Sequence, residues 1–203
     1  MSSSPTEAWT RLLGSTGNDY GFALTTGSDE SIYIAGYTYG DLDGQTNNGD
    51  YDAFVSKYSS DGTKVWTELF GTSSSDSAYA LTTGSDGSIY IAGYTYGDLE
   101  GQSYNGGLSD AFISKFNPDG TKVWTELFGG SDVDNASSLV TANDGSIFVA
   151  GFTYSDIDDQ INDGKVDAFI SKYNPNGTKE GLVLFGSSEN DYGNALTIDS
   201  DGS

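Results

Sequence analysis

The stretch Trp66-Thr67-Glu68-Leu69-Phe70-Gly71-Thr72 returns as Trp124-Thr125-Glu126-Leu127-Phe128-Gly129-Gly130. A variant, Trp9-Thr10-Arg11-Leu12-Leu13-Gly14-Ser15, precedes both. The three tryptophans stand 57 and 58 residues apart, and Gly14, Gly71, Gly129 and Gly186 keep the same period. A fixed period in this range marks a solenoid, a propeller or an array. It also divides the residues into those repeated in every copy and those that are not. No copy carries a unique group that reads as a lone active centre.

Working outward from these stretches, one copy resolves into four strands. GFALTTG (21–27) ends at a turn over 28–31, and SIYIAGYTY (31–39) is rich in β-branched and aromatic residues. A long polar stretch, GDLDGQTNNGDY, follows. DAFVSKY (52–58) alternates apolar and polar, and KVWTELFG (64–71) closes the copy. The turns carry Asp61-Gly62, Asp86-Gly87, Asp119-Gly120, Asp144-Gly145 and Asn176-Gly177. Such pairs between alternating segments are the strongest short-range hairpin signal. No segment keeps a 3.6-residue apolar period, so the expected helix content is near zero.

The pattern predicts an all-β fold of β-propeller blades, each of four antiparallel strands labelled A to D from the axis outward. Strand A is expected at 21–27, 78–84, 136–142 and 193–199, and strand B at 31–39, 88–96 and 146–154. Strand C is expected at 52–58, 110–116 and 167–173, and strand D at 9–14, 64–70, 122–128 and 179–185. The expected organisation is a disordered tail over 1–8, then a repeat array over 9–203. Three full blades span about 19–71, 76–128 and 134–186. An orphan outer strand (9–14) and a partial blade (191–203) flank them. A β-solenoid is the runner-up, but its coils are usually shorter. This order predicts an incomplete, open propeller belonging to a longer chain with about three or four further blades, if closure falls within the usual four to eight. Its partners would be those remaining blades or a second copy, because unpaired blade faces and edges invite association.

The ordered motifs W-T-x-L-x-G, D-x-x-x-A-L, D-G-S-I-Y-I-A-G-Y-T, D-A-F-[VI]-S-K-[YF] and D-G-T resemble the bacterial β-propeller repeats called SBBP repeats. The resemblance covers about residues 9–203. It implies a propeller, usually inside large secreted or surface-attached bacterial proteins, and no general enzymatic activity.

Composition narrows the partners. The 203 residues include 30 acidic and 8 basic side chains, for a net charge of −22. Nucleic acids and anionic membranes are repelled by such a surface, whereas cations are attracted. No segment approaches ~20 apolar residues, so no membrane insertion is expected. Cysteine and histidine are absent, which removes thiol nucleophiles and imidazole bases. The absent cysteine, single methionine and acidity lean toward an extracellular or cell-surface setting. The N-terminal MSSSPTEAWT shows no signal-peptide pattern.

In a blade, the D–A and B–C loops share one face. That face is expected to gather 18 of the 30 acids. Four series recur in register: Asp19, Asp76, Asp134 and Asp191; Asp41, Asp98 and Asp156; Asp43, Glu100 and Asp158; and Asp52, Asp110 and Asp167. Clustered carboxylates beside loop carbonyls suit Ca²⁺, which takes 6–8 oxygens from flexible loops. Calcium is therefore the candidate cofactor, with these acids as candidate ligands. Turn-forming Asx interactions explain the same repetition. The Asp41-Leu42-Asp43 start is not an EF-hand, which also requires Gly at position six and Glu at position twelve. Tyr37, Tyr39, Tyr94, Tyr96 and Tyr154 end strand B near the acidic face. They read either as inter-blade packing or as platforms for sugar rings. Gly36, Gly93 and Gly151 mark a close approach of backbone or ring.

Three functions remain open. The first is a non-catalytic binding or adhesion module with a protein or glycan ligand. The second is a structural spacer in a large surface protein. The third is a polysaccharide hydrolase using two carboxylates, although such a pair belongs in one pocket, not in every blade.

Overall fold

The computed structural model describes residues 8–199. The expected N-terminal tail falls, except for Ala8, outside the described residues, as do positions 200–203 of the expected partial blade. Twelve strands and no helix are found among the described residues. They form three four-stranded antiparallel sheets in chain order. The first is β1 (Asp19–Thr26), β2 (Ile32–Thr38), β3 (Asp52–Tyr58) and β4 (Lys64–Phe70). The second is β5 (Asp76–Thr83), β6 (Ile89–Thr95), β7 (Asp110–Phe116) and β8 (Lys122–Phe128). The third is β9 (Asp134–Thr141), β10 (Ile147–Thr153), β11 (Asp167–Tyr173) and β12 (Lys179–Phe185). Together they are three blades of an open, propeller-like arc.

The turns follow the residues predicted for them. Gly62, Gly87, Gly120, Gly145 and Gly177 all take positive φ, and the aspartate or asparagine before each accepts a backbone N–H two residues on. This is the Asx turn that lets Asp and Asn initiate a tight reversal. Glu30 occupies the same turn position as Gly87 and Gly145, and it too is left-handed, with φ 61°.

Each innermost strand carries a bulge. The register jumps from Gly21↔Gly36 to Ala23↔Ala35, and from Ala78↔Gly93 to Ala80↔Ala92. Phe22 and Tyr79 are thereby left unpaired in the ladder. Gly36, Gly93 and Gly151 sit beside these bulges, where a Cβ would overlap the carbonyl oxygens of Tyr20, Ser77 and Asn135. The close approach expected at these glycines is therefore made by the backbone of the adjoining strand.

The core lies between blades. Tyr33, Ala35, Ala53, Val55 and Phe70 of the first blade pack against Ala78, Leu81, Ile89, Ile91, Phe112 and Phe116 of the second. The opposite face of the second blade packs in the same way on the third, through Ile113, Phe128, Val149, Phe169 and Tyr173 among others. Burial of these faces is the main stabilising term, since each sheet is a thin layer that covers its apolar residues only by stacking.

Two flanking segments differ from the expectation. Neither 9–14 nor 193–199 forms a strand. A strand D needs a strand C beside it and a strand A needs a strand B, and no such neighbour lies beside either segment among the described residues. They are tied down by scattered bonds instead: Trp9 Nε1 donates to Ser60 O (3.1 Å) and Arg11 Nε to Gly62 O (2.9 Å), while Gly193 N donates to Gly151 O (3.1 Å) and Leu196 N to Ser138 Oγ (2.9 Å).

Candidate functional site

The D–A and B–C loops do meet on one face. Asp76 N donates to Tyr51 O (2.8 Å), Asp134 N to Ser109 O (2.8 Å) and Asp191 N to Val166 O (2.8 Å). Within this face the four acid series have separate fates. Asp41, Asp98 and Asp156 each accept the backbone N–H six residues on, at 2.8–2.9 Å, and so close the start of the B–C loop.

Asp43, Glu100 and Asp158 leave the face on which they were expected. Leu42, Leu99 and Ile157 are buried and draw the loop down along the outer strand. Asp43 then pairs with Lys64, Glu100 with Lys122 and Asp158 with Lys179, at the far end of the blade. Burial pushes the Asp43 carboxyl up, but Lys64 and Thr67 outweigh it and hold the group below its usual range. The same loop covers the edge of the first blade: Gln45 Nε2 donates to Thr67 O (2.6 Å), and Leu69 N donates to Gln45 Oε1 (3.0 Å). Covering an exposed edge in this way blocks unwanted strand pairing.

The remaining two series converge. In each blade, the register aligns an Asp–Thr–Asp row: Asp19–Thr38–Asp52, Asp76–Thr95–Asp110 and Asp134–Thr153–Asp167. Asp52, Asp76, Asp110 and Asp134 have no exposed surface, and Asp167 almost none. In each, Oδ2 accepts a loop N–H, from Asn48, Thr72, Asn105, Gly130 and Asp163 respectively. Their Oδ1 atoms are buried without a hydrogen-bond partner, as is that of Asp19. Burial raises the carboxyl of Asp52, with the neighbouring Asp76 adding to it. Burial likewise raises Asp76 and Asp110, and it pushes Asp134 up to about 7. No trio of acidic side chains among the described residues is gathered closely enough to hold a metal by itself.

The tyrosines form the other feature of this end. In the first blade the rings of Tyr20 and Tyr37 lie 4.9 Å apart, and Tyr51 packs on both Tyr37 (4.5 Å) and Tyr39 (5.1 Å). The belt crosses to the second blade twice. Tyr51 Oη lies 2.9 Å from Tyr94 Oη, and the Phe22 and Tyr79 rings are 4.7 Å apart. Tyr94 then touches Tyr79 (5.5 Å) and Tyr96 (5.4 Å). Burial and the hydroxyl of Tyr51 drive the Tyr94 phenol upward, and burial does the same for Tyr37 and Tyr96. Four of the five predicted tyrosines thus share one network, while Tyr154 stands with Phe152 and Tyr192 instead. At the next junction the second blade has Ser109 where the first has Tyr51, and the third blade has Ser137 where the second has Tyr79, so the bridging rings are missing there.

Tyr20, Phe22, Tyr51 and Tyr79 complete the belt but were not singled out from sequence. Tyr79 and Phe22 share a repeat position, which is the signal that would have found them. Tyr39 is 46% and Tyr96 42% exposed. Beside Tyr96 lies a shallow recess of about 520 Å³ lined by Asp50, Ser73, Ser74, Ser75 and Tyr104.

Residues 65–100 match the SBBP beta-propeller repeat, and 84–122 and 142–180 match a beta-propeller domain of unknown function, DUF5122. The chain is 28% identical over 194 residues to the regulatory protein FlaEY of Caulobacter vibrioides, a match that covers 89% of this chain. It spans 20% of that relative's length. A crystal structure of a protein of unknown function from Bacteroides caccae superposes with a TM-score of 0.49 at 12% identity, covering 91% of this chain and 51% of the other.

Proposed function

We propose that this array of SBBP-type β-propeller repeats is a non-catalytic binding module that works at the bacterial surface or outside the cell. The observation that carries the reading is the tyrosine belt across the first two blades. Of its half-exposed members, Tyr96 lines a polar recess of serines and Asp50 on the loop face, and Tyr39 packs on Tyr51. A flat aromatic face beside hydroxyl and carboxylate acceptors is the chemistry that recognises sugar rings, through C–H stacking and hydroxyl hydrogen bonds. Glycan is therefore the ligand class we favour, with adhesion as the role.

Hydrolysis is the less favoured reading. The paired carboxylates are fully buried and recur at each blade junction, whereas a glycosidase needs two that face one cleft. A pure spacer role would leave the exposed rings without a use.

A glycan array probed with the purified chain tests the reading. We expect retention of a restricted set of glycans, lost in Tyr96→Ala and Tyr39→Ala while the circular dichroism spectrum stays unchanged. Binding that survives both substitutions, or no binding at all, would remove the proposal. Turnover of a retained glycan would favour the hydrolase instead.

A further inference from the structure

We propose that each blade junction holds one hard divalent cation between two buried aspartates: Asp52 with Asp76 over Gly71, and Asp110 with Asp134 over Gly129. This inference does not depend on the glycan reading.

The two carboxylates of each pair come from different blades and converge over a glycine. A Cβ on Gly71 would lie 2.6 Å from Asp52 Oδ1 and 2.8 Å from Asp76 Oδ2. At Gly129 the corresponding distances are 2.8 Å to Asp110 Oδ1 and 2.7 Å to Asp134 Oδ2. Only a residue without a side chain leaves room for the pair, and both junctions keep it. All four aspartates are fully buried, and each has an Oδ1 with no hydrogen-bond partner.

A buried charge needs a partner, because desolvation costs several kcal/mol per ion, on the order of the whole stability margin. No basic side chain supplies one. Lys57, Lys64, Lys115, Lys122, Lys165, Lys172 and Lys179 are all paired with other acids. Arg11 donates to the Gly62 and Thr10 carbonyls. These are all 8 basic residues of the chain. A hard cation takes carboxylate oxygens first and fills its remaining positions with loop carbonyls and water. Placed here, it would join the D–A loop of one junction to the strand end of the preceding blade.

The exposed acids do not share these features. Asp41, Asp98 and Asp156 are satisfied by loop amides, and Asp43, Glu100 and Asp158 by lysines. The inference therefore assigns the cation to two of the four acid series only.

The test is calorimetric titration of the full chain, stripped with EGTA at low ionic strength, with CaCl₂ and separately with MgCl₂. We expect saturable binding of one ion per junction and a rise in melting temperature on adding the preferred ion. Asp76→Asn and Asp134→Asn should each remove one ion per chain, because asparagine keeps an oxygen for the Thr72 or Gly130 amide but loses the charge. Asp52→Asn and Asp110→Asn, which alter the other member of each pair, give the same reading where the first variants fail to fold. Asp41→Asn should leave binding unchanged. Absence of heat and of any melting shift with both ions at millimolar concentration overturns the proposal. So does undiminished binding in folded pair variants, which would place the ion in the exposed loops.

Discussion

The indole of Trp66 lies over Gly120 of the next blade: its Nε1 donates to Pro118 O at 3.1 Å, and a Cβ on Gly120 would come within 3.0 Å of its Cδ2. The relationship repeats. Trp9 bonds Ser60 O and covers Gly62, and Trp124 bonds Pro175 O and covers Gly177. Each tryptophan thus clamps the C–D turn of the blade that follows it. The third blade has Gly181 at the equivalent position, with nothing near its Cα face.

Removing the clamp should loosen one junction while leaving the blades formed. Trp66→Ala should cost about 2–4 kcal/mol, through lost burial and the lost indole bond to Pro118 O, which then keeps only the longer Lys57 contact. Gly120→Ala meets both the indole and a φ of 91°, so about 1–3 kcal/mol is expected. Chemical denaturation read by tryptophan fluorescence measures both. Equal stability of Trp66→Ala and the parent would show that the indole only covers surface.

Glu30 stands where the equivalent turns have glycine, and its φ of 61° is costly for a side chain. Glu30→Gly should therefore stabilise the first blade by about 0.5–1 kcal/mol, although glycine also adds unfolded-state entropy. A melting temperature lower than the parent's would show that entropy outweighs the relieved strain.

Gly93→Ala should be among the most damaging single substitutions in the chain. The added methyl would overlap the Ser77 carbonyl in the bulge of the second blade, so the ladder between β5 and β6 must shift. A loss of about 4 kcal/mol or more, or failure to fold, is expected. Gly101→Ala is the control: its φ is 79° but nothing lies within 4 Å, and only about 1 kcal/mol is expected.

The buried tyrosines should resist alkali. Burial raises the Tyr94, Tyr58 and Tyr173 phenols above their ordinary value of 10.0. The folded state then keeps protons that the unfolded chain releases, so stability is full below pH 10 and falls as pH rises through the folded values. Absorbance at the phenolate band should show these rings ionising only on unfolding. Full, reversible ionisation of all 14 tyrosines with native circular dichroism would contradict the burial.

Strand order and turns were legible in the sequence because they are local. Asp86-Gly87 needs only its own φ and one Asx bond to make a hairpin, and IYIAGYT needs only its β-branched and aromatic residues to be read as a strand. Repetition then supplied the architecture, since four such strands per period leave few other arrangements. The sequence alone did not separate the acid series, because Asp41, Asp43 and Asp52 look alike on one loop. Tertiary packing separated them. Burial of Leu42 carried Asp43 to Lys64, while stacking of two blades brought Asp52 against Asp76 with no base beside them. The hydroxyl pair of Tyr51 and Tyr94, 43 residues apart, likewise exists only because the junction closes. Segments 9–14 and 193–199 carry strand-like sequence, yet without a neighbouring strand their backbone groups have no ladder to join, and pairing is a property of two segments, not of one.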